Sequence, residues 1–421
     1  MRENNRKSGN FSLMVTDSAL LILNIDYSNG YNDLKWAIGL NRLMLKIVGL
    51  WPPDIRDERE IVRSKLRLLG NCIALFFVLT IPVLVSLVRV WGDMILMIDN
   101  LQHSLPLLIT IFKVSILWYK QEVLVPLIDM IAKDWIKAKM KEERNVMLSR
   151  ARITRTIAMC GMFTILLAVI ITSVFPCFGL MIRHVTNLTD PGKPLPIQSY
   201  YLHDVSKSPQ YELTFIAQGI ATFTSGLSYT AIDNFLGLLV LHVCGQLENL
   251  QSRLTHMKIC ANFDAALKYN IQDHIRLIRS IQIIDDTFNL MLLGIVLYFG
   301  ILFCLQGFLI VNVINQKGQL SFAQLSWFVA AIICGLLHMC LYCAVGECLV
   351  TQSESIHRAT YKCAWYTIES KTARNLTLIM LRANKPLYIT AGKTFPMTMA
   401  TFCNLLKTSA GYISVLLANQ N

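Results

Sequence analysis

Seven long apolar stretches, separated by polar and charged segments, organise this chain of 421 residues. A helix of about 20 apolar residues crosses the hydrocarbon core of a bilayer, and each stretch is long enough to do so. The pattern therefore predicts an all-α membrane protein with seven transmembrane helices. The predicted spans are Leu68–Val88, Met94–Tyr119, Thr156–Ile182, Leu213–Val243, Phe288–Asn315, Leu320–Gly346 and Thr394–Ala418.

Composition agrees with a membrane protein, since 54% of the residues are hydrophobic and only 16% are charged. Soluble domains carry about 25% charged residues. The 12 cysteines lie mostly inside apolar stretches, which predicts no disulfide framework. Cys340 and Cys343 form a CxxC in mid-helix without a second pair, so we expect buried small side chains there and no zinc site.

Basic residues predict the orientation of the chain, because loops rich in lysine and arginine stay cytoplasmic. Of the 39 lysines and arginines, one (Lys407) lies in the last span, and the loops after the odd-numbered spans hold only Arg89, Arg183, Lys193, Lys207 and Lys317. The N-terminus is thus predicted to be cytoplasmic and the C-terminus extracellular. The net charge of +12 then faces anionic lipid and not nucleic acid.

This orientation argues against a G-protein-coupled receptor, whose N-terminus lies outside the cell. Neither an Asp-Arg-Tyr at the inner end of the third span nor an Asn-Pro-x-x-Tyr in the seventh is present. The first ten residues, MRENNRKSGN, also lack the basic-then-apolar pattern of a cleaved signal peptide.

Three regions follow along the chain. They are a cytoplasmic N-terminal region over 1–65, spans one to six with their inner loops over 66–383, and the last span with the extracellular C-terminus over 384–421. Asn41–Pro53 reads as a short amphipathic helix stopped by Pro52 and Pro53. Residues 120–155 and 244–287 have an amphipathic pattern and are predicted to extend the spans into the cytoplasm.

One face of the seventh predicted helix is small and polar. It collects Thr401, Asn404, Thr408, Gly411, Val415 and Ala418. Such a stripe, opposite large apolar side chains, packs against another helix or faces water. Periodicity leaves both interpretations open, a helix-packing face or a pore wall narrowed near Val415.

Short motifs around this helix resemble the C-terminal signature of insect odorant receptors. They are Lys393-Thr394-Phe395, Thr401-Phe402, Leu406-Lys407-Thr408-Ser409, Tyr412 and Val415-Leu416, with Gly49-Leu-Trp-Pro52 before the first span. Gly411 departs from the Ser or Thr that is usual there. The resemblance implies a subunit of an odorant-gated, non-selective cation channel, whose last helix lines the pore and whose inner helices anchor four subunits.

The loop between spans four and five is short, unlike that of the shared co-receptor of this family. The resemblance therefore implies a ligand-tuning subunit that assembles with the co-receptor as a heterotetramer in the plasma membrane of a sensory neuron dendrite. A gustatory receptor of the same superfamily is the alternative. Such receptors usually end in a Thr-Tyr-x-x-x-x-x-Gln-Phe type motif, which is absent.

A small volatile odorant needs an apolar cavity with few polar groups. In the family this cavity lies among the outer halves of spans two, three, four and six. The corresponding positions here are Ile98, Gln102, Ile171, Phe175, Phe215, Gln218 and Trp327. Lipid contact or core packing is the alternative for each. We single out Gln218 because an amide in the membrane needs a partner.

Charges inside the spans are few: Asp99, Asp233 and Lys407 stand out. We expect Asp99 to be solvated near an outer end, and Lys407 to make a structural contact or to reach the interface. No phosphate loop, HExxH or GxSxG motif is present, so we expect no enzyme, no cofactor and no metal site.

The orientation generates a first prediction. Asn187-Leu188-Thr189 is a glycosylation sequon on the predicted outer side, whereas Asn10 and Asn375 are predicted to be cytoplasmic. Asn187→Gln should abolish the glycosidase-sensitive shift on a gel, and Asn375→Gln should leave it unchanged. A shift that survives Asn187→Gln and disappears with Asn375→Gln would overturn the topology.

Overall fold

The computed structural model describes residues 30–53, 57–137, 139–178, 187–188, 190, 193–257, 262–315, 322–363, 366 and 370–418. Ten helices and one two-stranded hairpin make up this part of the chain. The helices are α1 (30–47), α2 (Glu58–Arg89), α3 (Met94–Tyr119), α4 (Gln121–Ile136), α5 (Lys141–Val174), α6 (Gln210–His256), α7 (Phe263–Asn315), α8 (Phe322–Lys362), α9 (Ser370–Ala383) and α10 (Met399–Ala418). Strands β1 (Thr390–Ala391) and β2 (Phe395–Pro396) precede α10.

The predicted all-α membrane fold is confirmed. Within the described residues, six helices (α2, α3, α5, α6, α7 and α8) are long and apolar enough to cross a membrane. The seventh predicted span begins at Met399 and not at Thr394, because Thr394 and Phe395 belong to the hairpin. Ile182 and Leu320, predicted ends of the third and sixth spans, lie outside the described residues.

Two spans continue far beyond a bilayer. Helix α6 has 47 residues, which corresponds to about 70 Å, more than twice the thickness of a hydrocarbon core. Helix α7 has 53 residues and continues in the same way. Within the predicted inner extensions, residues 244–256 and 263–287 are therefore helical continuations of these spans.

Ion pairs join the inner extensions to α4 and α5. Arg253 of α6 lies 2.9 Å from Glu143, and Arg276 of α7 lies 2.6 Å from Asp134. Burial of Asp134 opposes its ionisation, but hydrogen bonds and charge from His242 and Arg276 hold its pKa below the usual range. Pairs that are mostly withdrawn from water fix the relative positions of helices more than they stabilise the fold.

Helix α1 is longer than the sequence pattern predicted. It is already helical at residue 30, ahead of the predicted start at Asn41, and its buried face includes Leu34 and Ala37. The helix also ends before Pro52 and Pro53, which were predicted to stop it, because Gly49 with φ of 77° terminates it first. A Cβ on Gly49 would lie 2.5 Å from the backbone N of Leu68. Helix α2 can therefore cross the end of α1 at this point only because Gly49 has no side chain.

Helix α2 changes its winding midway. Residues Ala74–Thr80 form a π-helical turn directly before Pro82. Proline has no N–H and clashes with the preceding turn, so a helix changes geometry there. The carbonyl of Val78, to which Pro82 cannot donate, accepts the hydroxyl of Tyr201 at 2.8 Å. The outer loop is thus attached to the irregular part of α2.

The α1–α2 crossing gives a test of stability. Gly49→Ala should destabilise the protein by more than about 1 kcal/mol, because the left-handed backbone and the contact with Leu68 both oppose a Cβ. Gly39→Ala is the matched control, since a Cβ there meets nothing within 4 Å and alanine favours the helix. Thermal unfolding of the purified variants measures both. Equal midpoints would show that Gly49 is not required at the crossing.

Candidate ligand cavity and pore helix

A cavity of about 870 Å³ lies between α2, α3, α5, α6, α7 and α8. Most of its lining is aliphatic or aromatic. Ile197 of the outer loop borders it, and so do Ile389 and Met397, which flank the hairpin before α10. Its size and its apolar lining suit a small volatile molecule.

Two of the residues predicted from sequence, Gln102 and Ile171, line this cavity. Ile98 is buried instead in a separate cluster with Phe308 and Phe328. Trp327 belongs to α8, but its side chain lies outside the described part of the structure.

Phe175, Phe215 and Gln218 lie away from the cavity lining. Phe175 is half-buried in a short 3₁₀ turn after α5, and Phe215 stacks at a tilt on Tyr211 with ring centroids 6.0 Å apart. Gln218 is fully buried. The hydrogen-bond partners of its side-chain amide all belong to the outer loop.

Gln218 holds the outer loop over the bundle. Its amide nitrogen donates to Ser199 Oγ at 2.7 Å and to Tyr201 Oη at 2.8 Å. Its carbonyl oxygen accepts from the backbone N of Ile197 at 3.3 Å. Burial raises the pKa of Tyr201 to about 12, against the opposing effect of the hydrogen bond from Gln218. Gln218 therefore positions Ile197, which borders the cavity.

Asn187 also makes loop contacts. Its side chain is buried, and its Nδ2 donates to the carbonyl of Lys193 at 2.8 Å. A glycan on this nitrogen and this packed arrangement exclude each other, so glycosylation at Asn187 requires the loop to adopt another local conformation. Asn375, in contrast, is exposed on α9.

A buried ion pair lies beside the cavity. Lys113 of α3 is fully buried, and its Nζ lies 2.6 and 2.8 Å from the two carboxylate oxygens of Asp233 on α6. The same nitrogen lies 3.3 Å from the ring centroid of Tyr229 and 3.3 Å from Tyr342 Oη. His338 donates from Nε2 to the second carboxylate oxygen at 3.1 Å.

The sequence contained the signal for this pair but not its geometry. Lys113 and Asp233 are opposite charges within the second and fourth predicted spans, where an unpaired charge costs about 2.5–3.5 kcal/mol on insertion scales. Asp99 was expected to be solvated, and this expectation was wrong. Asp99 is only 3% exposed because it lies on the buried face of α3, next to Ile98 and Asn100.

A second cavity of about 700 Å³ lies among the inner helix extensions. Its lining is charged and includes Asp134, Glu143, Arg253 and Arg276, which form ion pairs with one another or with neighbours. Since these charges already satisfy each other, this cavity is best explained by the packing of the helix extensions.

Helix α10 presents two different faces. Phe402, Leu405 and Leu406 pack against the core. Four residues of the predicted polar stripe are exposed, namely Asn404, Thr408, Gly411 and Val415, while Thr401 is half-buried. Ala418 ends the helix, and its side chain lies outside the described part. Lys407 is exposed and has no ion-pair partner among the described residues.

The hairpin before α10 is tied to α7. Gly392 and Lys393 both adopt φ of 61°, which turns the chain between β1 and β2. Lys393 Nζ lies 2.5 Å from a carboxylate oxygen of both Asp285 and Asp286. Partial burial opposes the protonated form of Lys393, but these hydrogen bonds and charges raise its pKa.

Two further contacts hold this region. The N-terminus of α10 is capped by Glu347 of α8, which accepts from the backbone N of Met399 at 3.2 Å. A Cβ on Gly346 would lie 1.9 Å from the carbonyl oxygen of Met397, so α8 and the start of α10 are in direct backbone contact. The pore helix candidate is therefore fixed at its first turn, and the face opposite its packed side chains is exposed.

The buried ion pair generates a prediction. Lys113→Met should destabilise the protein by about 3–5 kcal/mol, because it leaves the Asp233 carboxylate buried without its partner. The double variant Lys113→Met/Asp233→Leu removes both charges and should recover most of this loss. Surface expression and thermal unfolding of the purified variants measure the effect. A single variant as stable as the wild type would mean that the pair is not required for folding.

Comparisons with known proteins agree on one family. Residues 93–410 match the family model of the seven-transmembrane odorant receptor. Odorant receptor 10 of Aedes albopictus is 30% identical over 221 residues, which cover 51% of this chain and 57% of that protein. Odorant receptor Or2 of Anopheles gambiae is 24% identical over 362 residues, covering 83% and 91%.

Solved structures agree with the fold. The insect olfactory receptor OR5 from Machilis hrabei, solved in complex with eugenol, has a TM-score of 0.75 at 16% identity and covers 93% of this chain and 99% of its own. A second structure of the same receptor has a TM-score of 0.78 at 15% identity and covers 92% of this chain and 99% of its own.

Partial coverage limits some of these matches. The match spans little more than half the length of the Aedes albopictus relative and of odorant receptor 13a of Drosophila melanogaster, 57% in each case. The family model, however, matches most of the chain, and the relatives are receptors and not enzymes. The chain is a multi-pass membrane protein that belongs to the seven-transmembrane odorant receptor family.

Proposed function

We propose that this chain is the ligand-tuning subunit of an odorant-gated, non-selective cation channel. In this proposal it binds a small volatile in the cavity of about 870 Å³ and assembles with the shared co-receptor as a heterotetramer in the plasma membrane. The structure of a relative in complex with eugenol supports a small-molecule ligand. The connection between α6 and α7 is short, over 257–262, which supports a tuning subunit.

One observation carries the proposal: the lining of the cavity reaches the hairpin that begins α10. Ile389 and Met397 border the cavity, and they lie on either side of the hairpin. The backbone N of Met397 donates to the carbonyl of Ile389 at 2.8 Å. A molecule that occupies this end of the cavity therefore contacts the segment from which the pore helix starts.

Gating follows from a difference in ligand affinity between two states. A ligand shifts an equilibrium only when it binds one state more tightly, and here that state is the open one. We place the closed gate at a ring of Val415 side chains, since a hydrophobic constriction blocks ions by excluding water. The 58% exposure of Val415 supports this placement, because the subunit itself leaves that side chain uncovered.

The proposed topology follows the basic residues, with the N-terminus in the cytoplasm and the C-terminus outside. The inner extensions of α6 and α7 would then form the cytoplasmic anchor between subunits, together with the ion-paired ends of α4 and α5. By resemblance to the family, the membrane is that of a sensory neuron dendrite.

Current recording with a panel of volatiles tests the channel proposal. The chain expressed with the co-receptor should give ligand-evoked cation currents, and the co-receptor alone should not respond to the same volatiles. Surface labelling must show equal receptor levels in both conditions. Identical responses with and without this chain would remove the assignment as a tuning subunit.

The gate has its own test. Val415→Ser should raise ligand-independent current, because a polar ring admits water. The increase should be partial, since a tuning subunit supplies a minority of the four gate positions. Phe402→Ser is the control on the packed face of α10 and should mainly lower expression. Equal basal current in wild type and Val415→Ser at matched surface levels would place the gate elsewhere.

A further inference from the structure

A cluster of polar and aromatic side chains lies on one wall of the cavity, whose lining is mostly apolar. We call Lys113, Tyr229, Asp233, His338 and Tyr342 the His338 cluster. All of them except Lys113 line the cavity. His338 is stacked on Tyr342 with ring centroids 5.2 Å apart and planes 3° apart, and it meets the ring of Tyr229 edge-on at 5.3 Å.

The charges in this cluster cancel each other. Lys113 Nζ contacts both oxygens of Asp233, and its remaining directions are taken by Tyr342 Oη and the face of Tyr229. Because the Lys113 side chain is fully buried and does not border the cavity, it offers no hydrogen bond to a ligand. A ligand therefore meets a neutral surface and not an isolated charge.

His338 lines the cavity and is half-buried, with 30% of its side chain exposed. Its Nε2 lies 3.1 Å from a carboxylate oxygen of Asp233, which only accepts, so Nε2 carries the donated hydrogen. The neutral ring then presents Nδ1 as an acceptor. Nδ1 has no hydrogen-bond partner among the described residues.

Hydroxyl groups that can donate are also present in the cavity lining. The hydroxyls of Tyr229 and Tyr298 have no hydrogen-bond partner among the described residues, and both tyrosines line the cavity. A phenol hydroxyl both donates and accepts. The lining therefore offers a ligand hydroxyl both an acceptor, His338 Nδ1, and groups that can donate.

We propose that this cavity is tuned to neutral volatiles that carry a hydroxyl group, and that His338 Nδ1 accepts the hydrogen bond of that hydroxyl. The inference rests on the proposed function, because it assigns the ligand class of the same cavity. An ether or ester only accepts, so it leaves Nδ1 buried without a partner, which weakens binding. A cationic amine or a carboxylate adds net charge to a neutral cluster in a medium of low dielectric constant, which is unfavourable.

Isomeric ligand pairs provide the test. 1-Octanol and 1-methoxyheptane are isomers, the first an alcohol and the second an ether. 4-Ethylphenol and 4-methylanisole are a second pair of this kind, a phenol and an ether. The full-length protein in lipid nanodiscs is titrated with each compound, and the shift in its thermal unfolding midpoint gives the affinity. Headspace measurement over matched empty nanodiscs gives the free concentration. We expect each hydroxyl isomer to bind roughly tenfold more tightly.

Three variants assign the preference to His338. His338→Phe keeps an aromatic ring beside Tyr342 but removes Nδ1, so the two isomers of a pair should bind within about twofold of each other. His338→Gln keeps a donor for Asp233 and an amide oxygen as acceptor, and it should retain the preference. Leu341→Met, a change of an apolar lining residue, should alter both isomers of a pair alike.

The outcomes separate this inference from the channel proposal. Equal affinities for alcohol and ether in the wild type, or no binding of any of the four compounds, would overturn the inference. So would a preference that survives in His338→Phe. If that variant fails to fold, loss of the preference in a folded His338→Gln protein contradicts the assignment, and its retention supports it. A hydroxyl preference without any ligand-evoked current would contradict the channel proposal alone.

Discussion

A lysine buried among membrane-spanning helices has to be neutralised, and in this protein Asp233 does so for Lys113. The pair joins α3 to α6, and His338 and Tyr342 bring α8 to the same point. Because the ammonium group needs several partners in a medium without water, its surroundings are polar and aromatic. One wall of the cavity therefore differs in chemistry from the rest, because the buried ammonium group of Lys113 needs polar and aromatic partners.

The cavity ends at two structures that are held by different interactions. At the outer end, uncharged hydrogen bonds from Gln218 and Tyr201 hold the loop that carries Ile197. At the inner end, the charges of Asp285 and Lys393 hold the hairpin, which Met397 directly follows. The outer attachment satisfies backbone groups and the inner one joins α7 to the start of α10. A ligand between them lies against both a loop and the beginning of a helix.

Helix α10 is incomplete as a membrane helix within one subunit. Its packed face contacts α7 and α8, but within the described part of the chain no helix covers Asn404 and Thr408. Polar side chains in a bilayer face protein or water. This exposure supports the proposed assembly with further subunits around an aqueous path.

The sequence by itself determined the elements that depend on local pattern. Apolar length predicted the spans and amphipathic periodicity predicted the inner extensions, because a helix buries whatever its own repeat places on one face. Motifs around Lys393 and Tyr412 indicated the family that the match over residues 93–410 confirmed. The pattern of α1 ahead of Asn41 is likewise local, in the spacing of Leu34, Ala37 and Met44.

Only the tertiary structure decided which side chains meet. Gln218 and Asp233 are both polar residues of α6, yet Gln218 holds a loop and Asp233 lies at the cavity wall. Periodicity gives the face of a helix but not the neighbour across it, so Lys113 and Asp233, 120 residues apart, could not be paired from the sequence. The same holds for Asp285 and Lys393. Contacts between distant residues depend on how helices pack, and that packing is a property of the whole bundle.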